Sequence, residues 1–291
     1  VLSDGIHDLT AAATDTAGNA GAASTALSVT VDTSTPAVPG APDLDAASDT
    51  GTASDDDITS STALTVSGTA EAGSTIAVTS DVDGAVGTAT ADGSGDWSLT
   101  TGTLTAGTNT LTATATDAAG NTGAASTGLA VTIDTTNPAA PSAPDLTASS
   151  DTGTASDDDI TNDTTPTLAG TAEANSTVTL TSSIDGAVGT ATADGSGIWA
   201  AATSALSDGV HDLTATATDV AGNTGTASAV LAVTIDTSTP DAPSAPDLAD
   251  ASDSGSSSTD DNTSNTTPTL SGTAEAGTVL ELPSDVDGAV G

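Results

Sequence analysis

The sequence predicts an all-β protein made of antiparallel β-sandwiches in tandem, and three observations carry that expectation. Trp97 and Trp199, Asp117 and Asp219, and Glu71, Glu173 and Glu275 recur at intervals of 102 residues with no insertion or deletion, the mark of an array of similar units. Within a unit, apolar and polar residues alternate with a period of two. Turn residues cut each unit into about seven short strands, which fits an immunoglobulin-like sandwich.

The third copy shows the elements in order. Leu213, Ala215 and Ala217 share one parity against Thr214, Thr216 and Thr218, and Leu231, Val233 and Ile235 do so against Ala232, Thr234 and Asp236. Asp185-Gly186 and Asp194-Gly195 are hairpin signals, Ser207-Asp208-Gly209 is a turn, and Asp219 to Asn223 is a short loop between two alternating runs. No stretch has the 3.6-residue apolar period of a helix. With two tryptophans and no Phe or Tyr the core is thin, so Trp199 is expected inside it as its largest member. Pro138, Pro141 and Pro144 stand at the three-residue period of polyproline II and predict a stiff, extended connector. The expected organisation is a piece of a longer array: the end of one repeat (1–34), two whole repeats (35–136 and 137–238) and the start of another (239–291).

Charge narrows the functional classes. The chain has 40 acidic residues, two histidines and no Lys or Arg. Nucleic acid and anionic membranes, which need cationic side chains, are excluded as electrostatic partners. No run of 18 apolar residues exists, so this segment is not expected to insert in a membrane. Cysteine is absent, which removes disulfides and thiolate metal sites. Two carboxylates about 4 Å apart repel by roughly 4 kcal/mol at an effective dielectric near 20. Clustered acids must therefore be spread in water, protonated or neutralised by metal.

Sandwich topology places the second-to-third and sixth-to-seventh strand loops at the pole that meets the preceding repeat. In one copy these loops carry Glu71, Asp117 and Asn121, facing Asp32 at the end of the previous repeat. The next joint has Asp134, Glu173, Asp219 and Asn223, and the period extends the set to Asp236 and Glu275. An all-oxygen set of this kind favours Ca2+ over zinc, which prefers His and Cys; the plain alternative is an Asp and Asn that cap a turn. A second acidic cluster follows the prolines. Its first and last members, Asp49 and Asp57, Asp151 and Asp159, and Asp253 and Asp261, are candidate ligands of an additional site, against the alternative of a solvated loop. His7 and His211 correspond to Asn109 in the middle copy, which argues against a periodic metal or catalytic role. No carboxylate pair stands in a His or Ser constellation, so no enzymatic chemistry is expected.

TDxAGN, DGSGxW, SGTAEAGS, a strand ending VTIDT and the P-x-x-P-x-x-PDL connector together resemble the bacterial immunoglobulin-like repeats of giant biofilm-associated and RTX-type adhesins. That resemblance implies a non-enzymatic stalk on the bacterial cell surface, exported by type I secretion, with calcium at the domain joints and neighbouring repeats as the direct partners. The adhesive target would be bound elsewhere in the parent protein. Two other classes compete: a surface-layer or filament protein, and an array of carbohydrate-binding modules, which would need exposed tryptophans.

Overall fold

The prolines and the alternation together dictate how the chain is laid down. A computed structural model describes residues 1–153, 155–257 and 259–289, and every regular element among them is a strand. None is a helix long and apolar enough to cross a membrane. The chain forms two units, Val1–Ile235 and Asp236–Gly291.

The first unit opens with an antiparallel pair, β1 (Gly5–Leu9) and β2 (Leu27–Val31). The second repeat then supplies β3 (Asp43–Leu44), β4 (Ile58–Thr59), β5 (Thr65–Thr69), β6 (Thr75–Ser80), β7 (Gly84–Thr90), β8 (Asp96–Thr100), β9 (Gly107–Thr116) and β10 (Leu129–Ile133). These build two facing sheets, β3-β5-β8 and β4-β10-β9-β6-β7. The third repeat continues with β11 (Asp145–Leu146), β12 (Ile160–Thr161), β13 (Thr167–Thr171), β14 (Thr177–Ser182), β15 (Gly186–Thr192), β16 (Ile198–Ala202), β17 (Gly209–Thr218) and β18 (Leu231–Ile235). Its sheets, β11-β13-β16 and β12-β18-β17-β14-β15, have the same order. The structure refines the expected seven antiparallel strands in one respect: the first strand is divided. Its first half pairs antiparallel with β5, and its second half, β4, crosses to the other sheet and lies parallel to β10, with Ile58 opposite Thr132. The acidic segment 45–57 spans the crossing.

Alternation becomes burial. In β9, Leu111, Ala113 and Ala115 are fully buried while the threonines between them face outward. Each core is a single cluster, Ile76, Val78, Trp97, Leu111 and Ile133 in one repeat and Val178, Leu180, Trp199, Leu213 and Ile235 in the next. The tryptophan fits because the strand paired with its own has no side chain opposite it: a Cβ on Gly68 would lie 2.7 Å from Cζ2 of Trp97, and one on Gly170 would lie 2.7 Å from the same atom of Trp199.

The second unit has only the pairs β19 (Asp247–Leu248) with β20 (Leu270–Ser271), and β21 (Pro283–Ser284) with β22 (Gly288–Ala289). Leu280, counterpart of the fully buried Ile76, is 52% exposed there, because no strands face it among the described residues.

Gly170→Ala is expected to destabilise the third repeat by about 1–3 kcal/mol, the usual effect of overfilling a packed core. Urea denaturation followed by Trp199 fluorescence measures this, and an unchanged midpoint would show that the indole has room to shift.

Candidate functional site

At the first joint the expected residues converge. Asp32, at the end of the first repeat, lines one cleft with Glu71 of the β5–β6 loop and Asp117 of the β9–β10 loop. Asp117 organises its own turn: Oδ1 accepts from the amides of Ala119 (2.9 Å) and Asn121 (2.8 Å), and Oδ2 accepts from Nδ2 of Asn121 (2.8 Å). The hydrogen bond from the Asn121 side chain, against some desolvation and helped by the loop amides, holds the Asp117 carboxyl below its usual range. A carboxyl lowered by folding contributes stability above its unfolded pKa and loses it as pH falls through the folded value. The turn therefore persists at neutral pH. Nδ2 of Asn121 also donates to the main-chain carbonyl of Asp32 at 3.1 Å, so one amide ties the turn to the preceding repeat.

The second joint repeats this and adds an interlock. Asn223 Nδ2 donates to the Asp134 carbonyl (2.8 Å) and to Oδ2 of Asp219 (2.9 Å). Glu173, in the equivalent β13–β14 loop, is exposed. Here the acidic loop of the second repeat closes over the β17–β18 turn. The Thr52 amide donates to the Val220 carbonyl (3.3 Å), and the Ala221 carbonyl accepts from the Ser60 amide (3.1 Å) and from Oγ1 of Thr50 (2.9 Å). Gly51, at φ +127°, lies so close that a Cβ would sit 2.1 Å from the Val220 carbonyl oxygen. Under this cover Asp219 is 2% exposed and Ala221 fully buried, whereas the corresponding Asp117 is half-buried and Ala119 exposed.

Asp49 and Asp57 belong to this acidic loop. The acidic loop precedes β4, which runs beside the end of β10, and the Asp134 amide donates to the Thr59 carbonyl at 2.9 Å. Asp49 and Asp57 thus share an end of their repeat with Asp134, next to Asp219. Asp151 and Asp159, adjacent to Asp134 in sequence, lie by the same logic at the far end of the third repeat, where β12 accompanies the end of β18. The Asp57 amide donates to Oδ2 of Asp49 (3.3 Å), and Asp261 does the same to Asp253. Desolvation, then the charges of Asp49, Asp43 and Asp56, push the Asp57 carboxyl up; Asp159 is raised likewise by burial and by Asp151, Asp145 and Asp158. In the second unit, Asp236 accepts from the Ser238 amide (2.9 Å), and Oε2 of Glu275 accepts from the Asp241 amide (3.1 Å). Among the described residues no three His, Asp or Glu side chains come close enough to hold an ion by themselves, so carbonyl or water oxygens would have to complete any site.

His211 is structural. Buried His211 donates from Nε2 to the Ser207 carbonyl (2.7 Å) and accepts at Nδ1 from the Ser182 hydroxyl (2.8 Å). Asn109 does the same in the other repeat, donating to the Thr105 carbonyl (2.9 Å) and accepting from Ser80 (2.7 Å). An imidazole and an amide thus plug one position interchangeably. Trp97 and Trp199 are 4% and 2% exposed, so neither offers a face to a sugar ring.

The family described as bacterial Ig-like domain matches residues 35–135, 137–237 and 239–290. Among solved structures the chain is similar to the BSP domain of a biofilm associated protein, at 22% identity over 70% of this chain and 30% of that one, with a TM-score of 0.26. It thus spans less than a third of that chain's length. It is also similar to the fibronectin(III)-like modules of Clostridium thermocellum CbhA, at 17% identity over 61% of this chain and 87% of that one, with a TM-score of 0.37. Invasin, a bacterial integrin-binding protein, matches at 17% identity over 66% of this chain and 40% of that one, with a TM-score of 0.24. Superpositions this loose carry no functional argument. No curated protein sequence matches the chain.

Substitutions at two positions separate the interlock from the core. Gly51→Ala should release the loop from Val220 without unfolding either repeat, seen as a roughly tenfold loss of hydrogen-exchange protection at the Thr52 and Ser60 amides with protection in β9 unchanged. His211→Asn should cost under about 1 kcal/mol, whereas His211→Ala, which removes the acceptor of the Ser182 hydroxyl proton and the side-chain donor to the Ser207 carbonyl, should cost about 1–3 kcal/mol. Equal losses for both His211 variants in chemical denaturation would contradict the plug.

Proposed function

The chain belongs to the bacterial immunoglobulin-like domain family, and on that premise we propose that it is a non-enzymatic stalk segment of a bacterial surface adhesin. In this reading it is exported by the type I route and stiffened by calcium where repeats meet. It holds an adhesive tip, located elsewhere in the parent protein, away from the cell for attachment and biofilm growth.

The observation that carries the reading is the interlock of the second and third repeats, in which two backbones meet directly between Gly51 and Val220. Such a contact fixes one repeat on the next, as a spacer requires. It forms amid carboxylates that no cationic side chain can neutralise. The chemistry of the donors fits calcium, which takes six to eight oxygens in irregular geometry. Asp32, Glu71 and Asp117 would contribute to the site at the first joint, and Asp134, Glu173 and Asp219 at the second, with carbonyl or water oxygens completing it and Asn121 and Asn223 holding the carbonyls of Asp32 and Asp134 in place. Bound there, the ion would supply positive charge and link two repeats; it would do no chemistry.

Ion binding to the folded form alone stabilises by about 2.7 kcal/mol per site at a hundredfold excess over the dissociation constant. Adding EDTA to calcium-loaded protein should therefore lower the melting temperature and shorten the maximum dimension measured by X-ray scattering. The reading is abandoned if both stay constant. Calcium-dependent growth in mass by light scattering would instead favour a filament-forming protein.

A further inference from the structure

Leu44 is the one member of the second repeat's core cluster that lies before β4 in the chain, and Leu146 is the one before β12 in the third. The segment from Pro36 to Asp57 is therefore anchored on the sandwich by one leucine and the buried rings of Pro36, Pro39 and Pro42. The rest of its hold is polar. The Gly40 amide donates to the Thr69 carbonyl (2.9 Å), the Asp45 amide to the Thr65 carbonyl (3.0 Å) and the Thr65 amide to the Ser48 hydroxyl (2.9 Å), beside the two-residue pairing of β3 with β5.

β4 is held differently. It runs parallel to β10, with the Thr132 amide donating to the Asp57 carbonyl (2.8 Å) and the Asp134 amide to the Thr59 carbonyl (2.9 Å), and Thr59 is fully buried. A pull that enters the repeat at its N-terminal side and leaves through β10 reaches residues 36–57 first. Their bonds are strung out from Gly40 to Ser48, and only Leu44 has to leave the core cluster with them. The pull then draws β4 backward and β10 forward along their common direction. Parallel strands loaded in this way slide in shear, so bonds that each fix a distance and an angle must fail together.

We propose that residues 36–57 form a force-releasable strap, which comes away under tension while β4 and β10 keep the sandwich closed, and whose release unlocks the joint that follows. The strap carries Thr50, Gly51 and Thr52, which meet Val220 and Ala221 of the third repeat. Of the contacts described at that joint, the Ser60 amide alone lies beyond the stop. Six of the strap's 22 residues are aspartates, and a charged segment repels itself and extends once freed. The third repeat is built of the same parts: Leu146 in the core, the Ser142 amide on the Thr171 carbonyl (2.9 Å) and the Thr234 amide on the Asp159 carbonyl (2.9 Å). The inference rests on the stalk reading for the direction of the load and is independent of any bound ion.

Stretching the full chain in optical tweezers by handles at its two ends, in EDTA so that no metal contributes, tests this. The second repeat is expected to give a small step worth 22 residues, about 70–80 Å of contour at the full reach of an extended chain, before the large step of its sandwich. Leu44→Ala should lower the force of the small step and leave the large one unchanged, because the strap has already gone when β4 is loaded. Ile58→Cys with Thr132→Cys, opposed across β4 and β10 in a chain without other cysteines, locks the stop on oxidation: the large step of this repeat disappears and the small one stays at its wild-type force. With no load, Leu44→Ala should speed hydrogen exchange at the Ser60 amide about tenfold while β9 keeps its protection. A single step for the whole second repeat, or a small step whose force ignores Leu44→Ala, overturns the strap. Unchanged exchange at Ser60 in that variant overturns its hold on the joint. The stalk reading is judged separately, by melting and scattering with and without calcium.

Discussion

A chain with 40 carboxylates and no Lys or Arg has to satisfy each acid without an ordinary ion pair, and most features of the structure are answers to that constraint. On the surface, water and local donors suffice. Asp92 and Asp194 each accept from backbone amides of their own turns, which lowers their carboxyls, and Asp117 does so with help from Asn121. Inside the acidic loop these answers run out. There the carboxylates of Asp43, Asp49, Asp56 and Asp57 gather where burial and mutual repulsion raise Asp57 instead. Asp117 and Asp57 are the same residue type pushed in opposite directions by their surroundings.

The contact between the second and third repeats includes two direct main-chain hydrogen bonds. Between the second and third repeats, carbonyls of Val220 and Ala221 are taken by amides and a hydroxyl of the preceding loop. Glycine is needed at residue 51 because two main chains meet there at closer range than a Cβ allows. A contact of this kind is directional, since each bond fixes a distance and an angle. Apolar burial between the same surfaces would have been tolerant of sliding. The directional contact fixes the register of one repeat on the next.

Within each sandwich the thin core compensates by close fit. Trp97 and Trp199 lie against glycines, and small residues, Ala113 and Ala115 or Ala215 and Ala217, fill the inner face of the longest strand. The inward polar position at Asn109 or His211 is tolerated because two hydrogen bonds satisfy either side chain. That plug explains why histidine comes and goes at one point of the period without a change of chemistry.

Much of this was legible in the sequence because alternation and turn residues act locally. The strands, the outward threonines, the buried tryptophans, the Asp117 and Asp219 turns and their proximity to Asp32 and Asp134 follow from period-two patterning and sandwich topology. The position of the acidic loop did not. Sequence adjacency attaches Asp151 to Asp134, yet the connector and half-strand carry the chain along the sandwich, so it is Asp49 and Asp57 that share an end with Asp134. Nor does composition reveal that Asp43 stands beside Asp57, or that one oxygen of Asp49 is sealed from water while its neighbour is bonded. By itself the sequence determined the repeat, the strands and the excess of charge, since each is a property of neighbouring residues. Only the tertiary structure decided which carboxylates meet and which are buried, because both depend on a strand that crosses from one sheet to the other and, for Asp219, on the preceding repeat's loop closing over it.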